Sequence, residues 1–332
     1  MALPSTQKQW ILCGTEKGLD EWQFRDAAVP QVGSHGVLVK MHAAGLNYRE
    51  VLIPAGGFPY QLNLPVVGGS DGAGEVLEVG AGVTKWRKGD RGDAYRMGAL
   101  GAALDGTFQQ YAVFDEDWLV RLASNLSYLE GAVLSNAAVT AWNALYGGRS
   151  LRPGEWVLVQ GTGGVSMFAL QFAKSGGAKV VATTSSDAKA DILRRYGADH
   201  VINYRTTPDW GAAAKQLTGR NEGFDNILEI GGAGTLEQSI SAIRKEGTIT
   251  VIGVVTGLVA PVNPLETVYK IFTLRGIHVG SKVQFEEMMA AIEANAIQPV
   301  IDGTHFALED LREALEYLKE QKHVGKVAIK IV

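Results

Sequence analysis

The chain has 332 residues, room for about two domains, and its 31 basic and 35 acidic side chains leave a net charge of −4. That balance offers no basic excess to offset a phosphate backbone, which argues against a nucleic-acid partner. No run of about 18 apolar residues is present to span a membrane, and "MALPSTQKQWILCGTEKG" lacks a basic stretch followed by a long apolar one, so a cytoplasmic location is expected.

Cys13 is the single cysteine, which excludes an intrachain disulfide and any zinc site built from several thiolates. Over the first 125 or so residues, short β-like runs such as "GVLVKMHAAG" and "GEVLEVG" alternate with Gly-rich turns, and little reads as helix. An irregular β domain is expected there. From residue 156 the pattern changes to apolar runs alternating with helical stretches, as in βαβ units with a parallel sheet. The expected strands are "WVLVQ" from 156, "KVVATT" from 179, "HVINY" from 200, "NILEI" from 226, "TITVIGVV" from 248 and "RGIHVG" from 275. The helices between them include "VSMFALQFAKS", "DAKADILRRYG" and "TLEQSISAIRKEG". After residue 280 two amphipathic helices, "FEEMMAAIEANA" and "LEDLREALEYLKEQ", precede a closing strand, "KVAIKIV". A tail of roughly 50 residues is small for a domain and is expected to rejoin the N-terminal part. The fold expected is α/β, a doubly wound parallel sheet over 128–275 inserted in a β domain made of 1–127 and 276–332.

The turn after the first of these strands, "QGTGGVSMF", places Gly161, Gly163, Gly164 and Val165 where a strand runs directly into a helix. Such glycines allow a tight turn and close backbone approach, and the helix N-terminus presents free N–H groups to a pyrophosphate. Ser166 stands where the usual fingerprint has its third glycine. The second strand, in "VVATTSSDAK", ends in hydroxyls rather than in the acidic residue that accepts from an adenine ribose. Ser185, Ser186, Lys189 and Tyr204 fit a 2′-phosphate, hence NADP(H). The same residues also read as an ordinary N-cap with Asp187 in the first turn and Lys189 in solvent.

Six motifs, "AAGLNYREVL", "GGSDGAGEVLEVGAGVTKWRKGDR", "AAVTAWNAL", "GTGGVSMFALQFAKSGGAKVVATTSSDAK", "GADHVINYR" and "GKVAI", occur in order along the chain. With them the sequence resembles the medium-chain dehydrogenase/reductase superfamily, in particular its zinc-independent, quinone-oxidoreductase-like members often described as alcohol dehydrogenases. The resemblance implies a GroES-like β domain carrying an inserted Rossmann domain, a cofactor between the two, and commonly a homodimer. Zinc-dependent relatives carry Gly-His-Glu where this chain has Gly69-Ser70-Asp71, and a metal-binding Cys where it has Asn47. "RGDAYRMGALGAALDGTFQQYAV" also lacks the four cysteines of a structural zinc lobe, so no metal is expected. The glycines around Ser70 and Asp71 then preserve a turn whose metal chemistry has gone.

Without a Lewis acid, hydride transfer needs hydrogen-bond donors at the oxygen that gains charge. The resemblance puts Asn47 near the nicotinamide and its ribose, with Tyr48 and Arg49 as further catalytic candidates. Arg49 reads equally well as scaffold paired with Glu50 or Asp71. By the same resemblance Thr140, Gly231, Gly253, Val254, Gly280, Ser281 and Lys282 line the cofactor, and Phe58, Tyr60 and Tyr95 form substrate-pocket walls or simply pack. Some quinone reductases have tyrosines where this chain has Leu52 and Phe58. The function expected is an NADPH-dependent, zinc-independent reductase of a small carbonyl or α,β-unsaturated carbonyl substrate. The alternatives are a zinc-less alcohol dehydrogenase working with NAD and a nucleotide-binding protein without turnover.

Overall fold

The computed structural model describes residues 3–253 and 263–331. The chain divides into two compact units, one formed by residues up to Val139 together with those from Ser281 onward, the other by Thr140–Gly280.

In the second unit six strands form one sheet, in chain order Trp156–Gln160, Lys179–Thr184, His200–Asn203, Phe224–Glu229, Ile243–Val251 and Thr273–Gly276. Across the sheet they lie third, second, first, fourth, fifth, sixth, every neighbouring pair parallel. The runs "VLV" and "VVA" are buried throughout, as strands covered on both faces require. Strand order reverses beside the first strand, which is where such sheets bind nucleotides. The helix Gly164–Ser175 follows that strand and buries Met167, Phe168, Leu170 and Phe172.

The fifth and sixth strands start earlier than expected. "IRKEG" does not end a helix: the helix Leu236–Ala242 stops, and Ile243 already pairs with Phe224. β-branched Ile243 packs into the core there, and a Cβ at Gly247 would stand 2.7 Å from the Phe224 carbonyl oxygen, so tertiary contact overrides the helical pattern. The sixth strand begins at Thr273 because Thr248 and Ile249 pair with Thr273 and Leu274. Helices Ala137–Tyr146 and Trp210–Leu217 add to those read from sequence.

In the first unit one sheet runs in the order Phe306–Ala307, Ala328–Lys330, Gly36–Gly45, Asp71–Val79, Arg91–Ala94 and Leu119–Arg121, and Tyr111–Asp115 also pairs with Gly36–Gly45. A second sheet joins Trp22–Ala28, Thr6–Leu12 and Val66–Val67. The closing strand lies antiparallel to Gly36–Gly45, with Ala328 opposite Gly45, and so brings the end of the chain beside Asn47. The units divide at 139/140 and 280/281, some residues beyond the 127/128 and 275/276 of the sequence reading. Residues 128–139 stay with the β unit because Ala132, Tyr128 and Leu129 pack on Ala43 and Ala73. Residues 277–280 stay with the parallel sheet: Ile277 N–H donates to Val251 O at 3.2 Å, and Val279 O accepts from Asn143 at 2.6 Å.

The "GGSDGAG" turn is glycine-rich because the protein packs against it. A Cβ at Gly68 would lie 2.3 Å from the Trp22 ring, one at Gly69 would lie 2.4 Å from Thr107 Oγ1, and one at Gly74 would lie 2.1 Å from the Lys40 carbonyl oxygen. Gly106, from the facing loop, has the Gly69 carbonyl oxygen 2.0 Å from where its own Cβ would be. This closeness buries Ser70 and Asp71.

Candidate active site

Asn47 lies between the strand Gly36–Gly45 and the short helix Arg49–Leu52, which Tyr48 caps; Ser70 immediately precedes the neighbouring strand, which begins at Asp71. Their side chains form one chain of hydrogen bonds. Asn47 Nδ2 donates to Ser70 Oγ at 3.0 Å, and Ser70 Oγ donates to Glu50 Oε1 at 2.8 Å. The other Glu50 oxygen accepts from the Asn47 backbone N–H at 2.6 Å. Lys326, from the residues preceding the closing strand, donates to Asn47 Oδ1 at 2.5 Å, to Leu46 O at 2.7 Å and to Asp71 Oδ2 at 3.1 Å. Burial raises the Glu50 carboxyl above the usual carboxylate range, opposed by Arg49. Asp93, fully buried, is pushed well above that range by burial and then by Asp71. Neither Asp93 oxygen has a partner in ordinary hydrogen-bond geometry, although the Gly72 amide and Lys326 exert a weaker downward pull.

This donor set does not fit zinc. An amide and a hydroxyl stand at two ligand positions, and the amide oxygen is already taken by a cationic ammonium 2.5 Å away. Among the described residues there is no group of three or more His, Cys, Asp or Glu able to hold a metal ion.

Tyr48 is exposed, whereas Arg49 is buried, donates to Leu100 O at 3.0 Å and lies 4.9 Å from the centre of the Phe58 ring. Burial lowers the Arg49 pKa, with Glu50 and Asp71 opposing. Tyr48 is therefore the outward member of the pair. Phe58 meets Tyr60 edge-on at 5.2 Å, and Tyr60 is exposed. Tyr95 is buried with its ring edge-on to Phe285 at 5.2 Å, so packing explains it without a substrate.

In the second unit Gly161 has φ +79°, a left-handed conformation that favours glycine, and its N–H donates to Thr183 O at 2.8 Å. Gly163, the N-cap of the helix beginning at Gly164, has an ordinary extended φ of −74° and no side-chain cap. A Cβ there would meet nothing within 4 Å. Nothing in the protein demands this glycine, and the amides of Gly164 and Val165 open the helix beside it: the cradle fits a nucleotide pyrophosphate. Ser166, in the place of the third glycine, turns inward and donates to Gln160 O at 2.6 Å.

Ser186 caps its helix, accepting from the Lys189 N–H at 3.4 Å; Ser185 and Lys189 are half-buried beside it. Tyr204 is exposed and its N–H donates to Thr184 O at 2.9 Å, so the four residues gather at adjoining strand ends. Asp187 Oδ1 accepts from Asn203 Nδ2 at 2.9 Å. Thr140 is buried in the helix Ala137–Tyr146. Gly231 and Gly253 are glycine for the protein's own reasons, since a Cβ would stand 2.2 Å from Thr235 Oγ1 in one and 2.4 Å from Ile230 O in the other. Gly280 ends this unit. Ser281 caps the helix Lys282–Ala294, and Lys282 Nζ donates to Asp117 O at 3.0 Å. Val254 lies outside the described residues.

Sequence reasoning did not single out Glu50, Asp93 or Lys326 as members of the first-unit cluster; the only signal for Lys326 was its place in "GKVAI". It also missed Glu229, buried at the end of the fourth strand, which accepts from Gln160 at 2.8 Å, from the Gly232 amide at 2.9 Å, and from Ser239 and Thr235. Gln160 in turn accepts from the amides of Ile230 and Gly231, which holds the loop after that strand.

A doubly wound parallel sheet with an open glycine cradle, in a chain whose other unit is a β fold, defines a nucleotide-dependent dehydrogenase class. The family model described as Alcohol dehydrogenase GroES-like domain matches residues 33–124, and that described as Zinc-binding dehydrogenase matches residues 164–294. A zinc-type alcohol dehydrogenase-like protein of Schizosaccharomyces pombe is 44% identical over 335 residues, covering 95% of this chain and 96% of its own length. A quinone oxidoreductase of Mus musculus is 30% identical over 298 residues, covering 88% and 87%. The solved structure of an NAD-dependent alcohol dehydrogenase, 30% identical, matches with a TM-score of 0.90 over 98% of this chain and 100% of its own. The chain belongs to the medium-chain dehydrogenase/reductase superfamily and is an oxidoreductase of that pyridine-nucleotide-binding family.

Proposed function

We propose that the protein is an NADPH-dependent reductase that works without zinc, on a carbonyl or an α,β-unsaturated carbonyl compound. The observation that carries this reading is the closed network of Asn47, Ser70, Glu50 and Lys326 at the positions where zinc-dependent relatives place ligands. When bound, the nucleotide supplies the hydride. The glycine cradle at 161–164 holds its pyrophosphate through backbone N–H groups. Ser185, Ser186, Lys189 and Tyr204 receive the 2′-phosphate. Asn47 donates an N–H to the acceptor oxygen as that oxygen gains charge, and exposed Tyr48 stands one residue away as a proton donor.

A screen of NADPH oxidation over quinones, enones, aldehydes and ketones tests the reading, with zinc measured by elemental analysis of the same protein. Turnover with at least one acceptor, well under one zinc per chain and insensitivity to chelators are expected. Stoichiometric zinc lost together with activity would overturn it. NAD as cofactor is favoured by Asp187, in the first turn of the helix that follows the second strand, and by the NAD-dependent structural relative. A preference for NADH in the same screen would select that reading.

The protein is also proposed to form a homodimer. Among the described residues the sixth strand has a neighbour on one side only, and Leu274 within it and Leu265, Val268, Tyr269 and Ile271 before it are exposed. The apolar run 248–262, longer than one buried strand needs, lies partly outside the described residues. A monomeric mass by light scattering at micromolar concentration would refute it.

A further inference from the structure

Lys326 is 279 positions from Asn47 in sequence, and its ammonium is nearly sealed from solvent, with 4% of the side chain exposed. Its backbone is held on both sides: its N–H donates to Val300 O at 2.9 Å, and its carbonyl accepts from Asp302 N–H at 2.8 Å. An ammonium has three protons and no acceptor. All three are committed, to Leu46 O, Asn47 Oδ1 and Asp71 Oδ2. Lys326 therefore has no proton left with which to meet a substrate or a phosphate while this network stands.

The consequence falls on Asn47. Ser70 spends its hydroxyl proton on Glu50, so toward Asn47 it can only accept. With the ammonium on one side and this accepting hydroxyl on the other, the amide has one workable orientation, Oδ1 toward Lys326 and Nδ2 toward Ser70. A flipped amide would set N–H groups against the ammonium and oxygen against oxygen. One Nδ2 proton remains uncommitted in the network. A cation on Oδ1 also draws charge out of the amide and strengthens that N–H as a donor.

We infer that Lys326 is a positioning residue that fixes the Asn47 amide as a hydrogen-bond donor toward the substrate oxygen. The inference rests on the proposed reading that Asn47 meets that oxygen. Asp71 supplies the negative charge that lets the ammonium sit buried, and Glu50 closes the other end through Ser70. No bond is made or broken at Lys326; it acts through the amide alone.

The test is a double-mutant cycle on the full chain: Lys326→Met, Asn47→Ala and the two combined, with Lys326→Met/Asp71→Asn as a charge-balanced variant whose melting curve reports folding. With an acceptor the wild type reduces, kcat should fall about 100-fold in Lys326→Met and in the charge-balanced variant, the size of losing one oriented donor. NADPH affinity, read by fluorescence titration, should stay within about threefold of wild type. Asn47→Ala and the combined variant should be equally slow, because Lys326 has nothing further to position. In nucleotide-free protein the Asn47 side-chain amide resonance should exchange with solvent faster in Lys326→Met than in wild type. Wild-type kcat in a folded Lys326→Met protein, additive losses in the combined variant, or unchanged amide exchange would each overturn the inference. A wild type that fails to oxidise NADPH with every acceptor of the screen removes the functional reading itself, which the kcat comparison could not do.

Discussion

Two glycine-rich turns in this chain look alike in sequence and differ in what they face. In "GGSDG" at 68–72 the space a Cβ would enter is already filled by Trp22, Thr107, Phe108 and Met41. In "GTGG" at 161–164 a Cβ on Gly161 or Gly163 meets nothing. The first turn is glycine because protein presses on it; in the second the backbone turns at Gly161 through a positive φ and open space lies in front of it. The same contrast holds for polar groups. Around Ser70 the side chains satisfy one another, whereas the helix at Gly164 starts without a side-chain cap.

The contrast would break most visibly at Gly106. Gly106→Ala pushes a Cβ onto the Gly69 backbone and is expected to cost about 3 kcal/mol or more, read by urea unfolding. A loss under about 1 kcal/mol would mean the filled turn relaxes easily and the distinction is false.

Asp93 sharpens the closed side through pH. Below about pH 3.9 the carboxyl is protonated in both folded and unfolded chains and contributes no pH dependence. As pH rises the unfolded chain releases the proton while the folded chain keeps it, so stability declines until the raised folded pKa is passed. Asp93→Asn removes that linkage. The stability difference, variant minus wild type, should grow as pH rises above the unfolded carboxyl's range, by no more than about 1.4 kcal/mol per pH unit, until the folded carboxyl itself titrates. A difference flat with pH would show that Asp93 is not held protonated.

On the open side, Lys189→Ala should weaken NADPH binding by about 1–3 kcal/mol and leave NADH nearly unchanged, as calorimetric titration would show. Equal losses for both nucleotides would remove the 2′-phosphate from this site. The smallest effect is expected at Gly163→Ala. Stability should stay within about 0.5 kcal/mol, since the added methyl has room and Gly is only a modest N-cap. NADPH binding should drop about tenfold, roughly 1.4 kcal/mol, from crowding the pyrophosphate. Unchanged binding would leave that glycine without an explanation.

Much of this architecture was readable from local pattern. Runs such as "WVLVQ" and "KVVATT" became strands with the bounds read from the sequence, and the glycines after "WVLVQ" stand at a strand-to-helix turn. These signals work because strand and helix periods, and the need for glycine at positive φ, are properties of a few neighbouring residues. The absence of cysteine and histidine at Asn47 and Ser70 was likewise a matter of residue type. "IRKEG" misled because its pairing with Phe224 belongs to the sheet and not to the segment.

What composition and spacing could not supply was which glycines face open space, which way the Asn47 amide points, and that a carboxyl such as Asp93 would be sealed beside Asp71. The orientation of Asn47 depends on Lys326, and Lys326 reaches it only because the closing strand pairs in one register with Gly36–Gly45, setting Ala328 against Gly45. A slip of one residue would turn the closing strand's side chains to the opposite faces of the sheet. Residue types and local periods are thus written in the sequence itself, while the direction of a hydrogen bond across 279 positions exists only once the strands have paired.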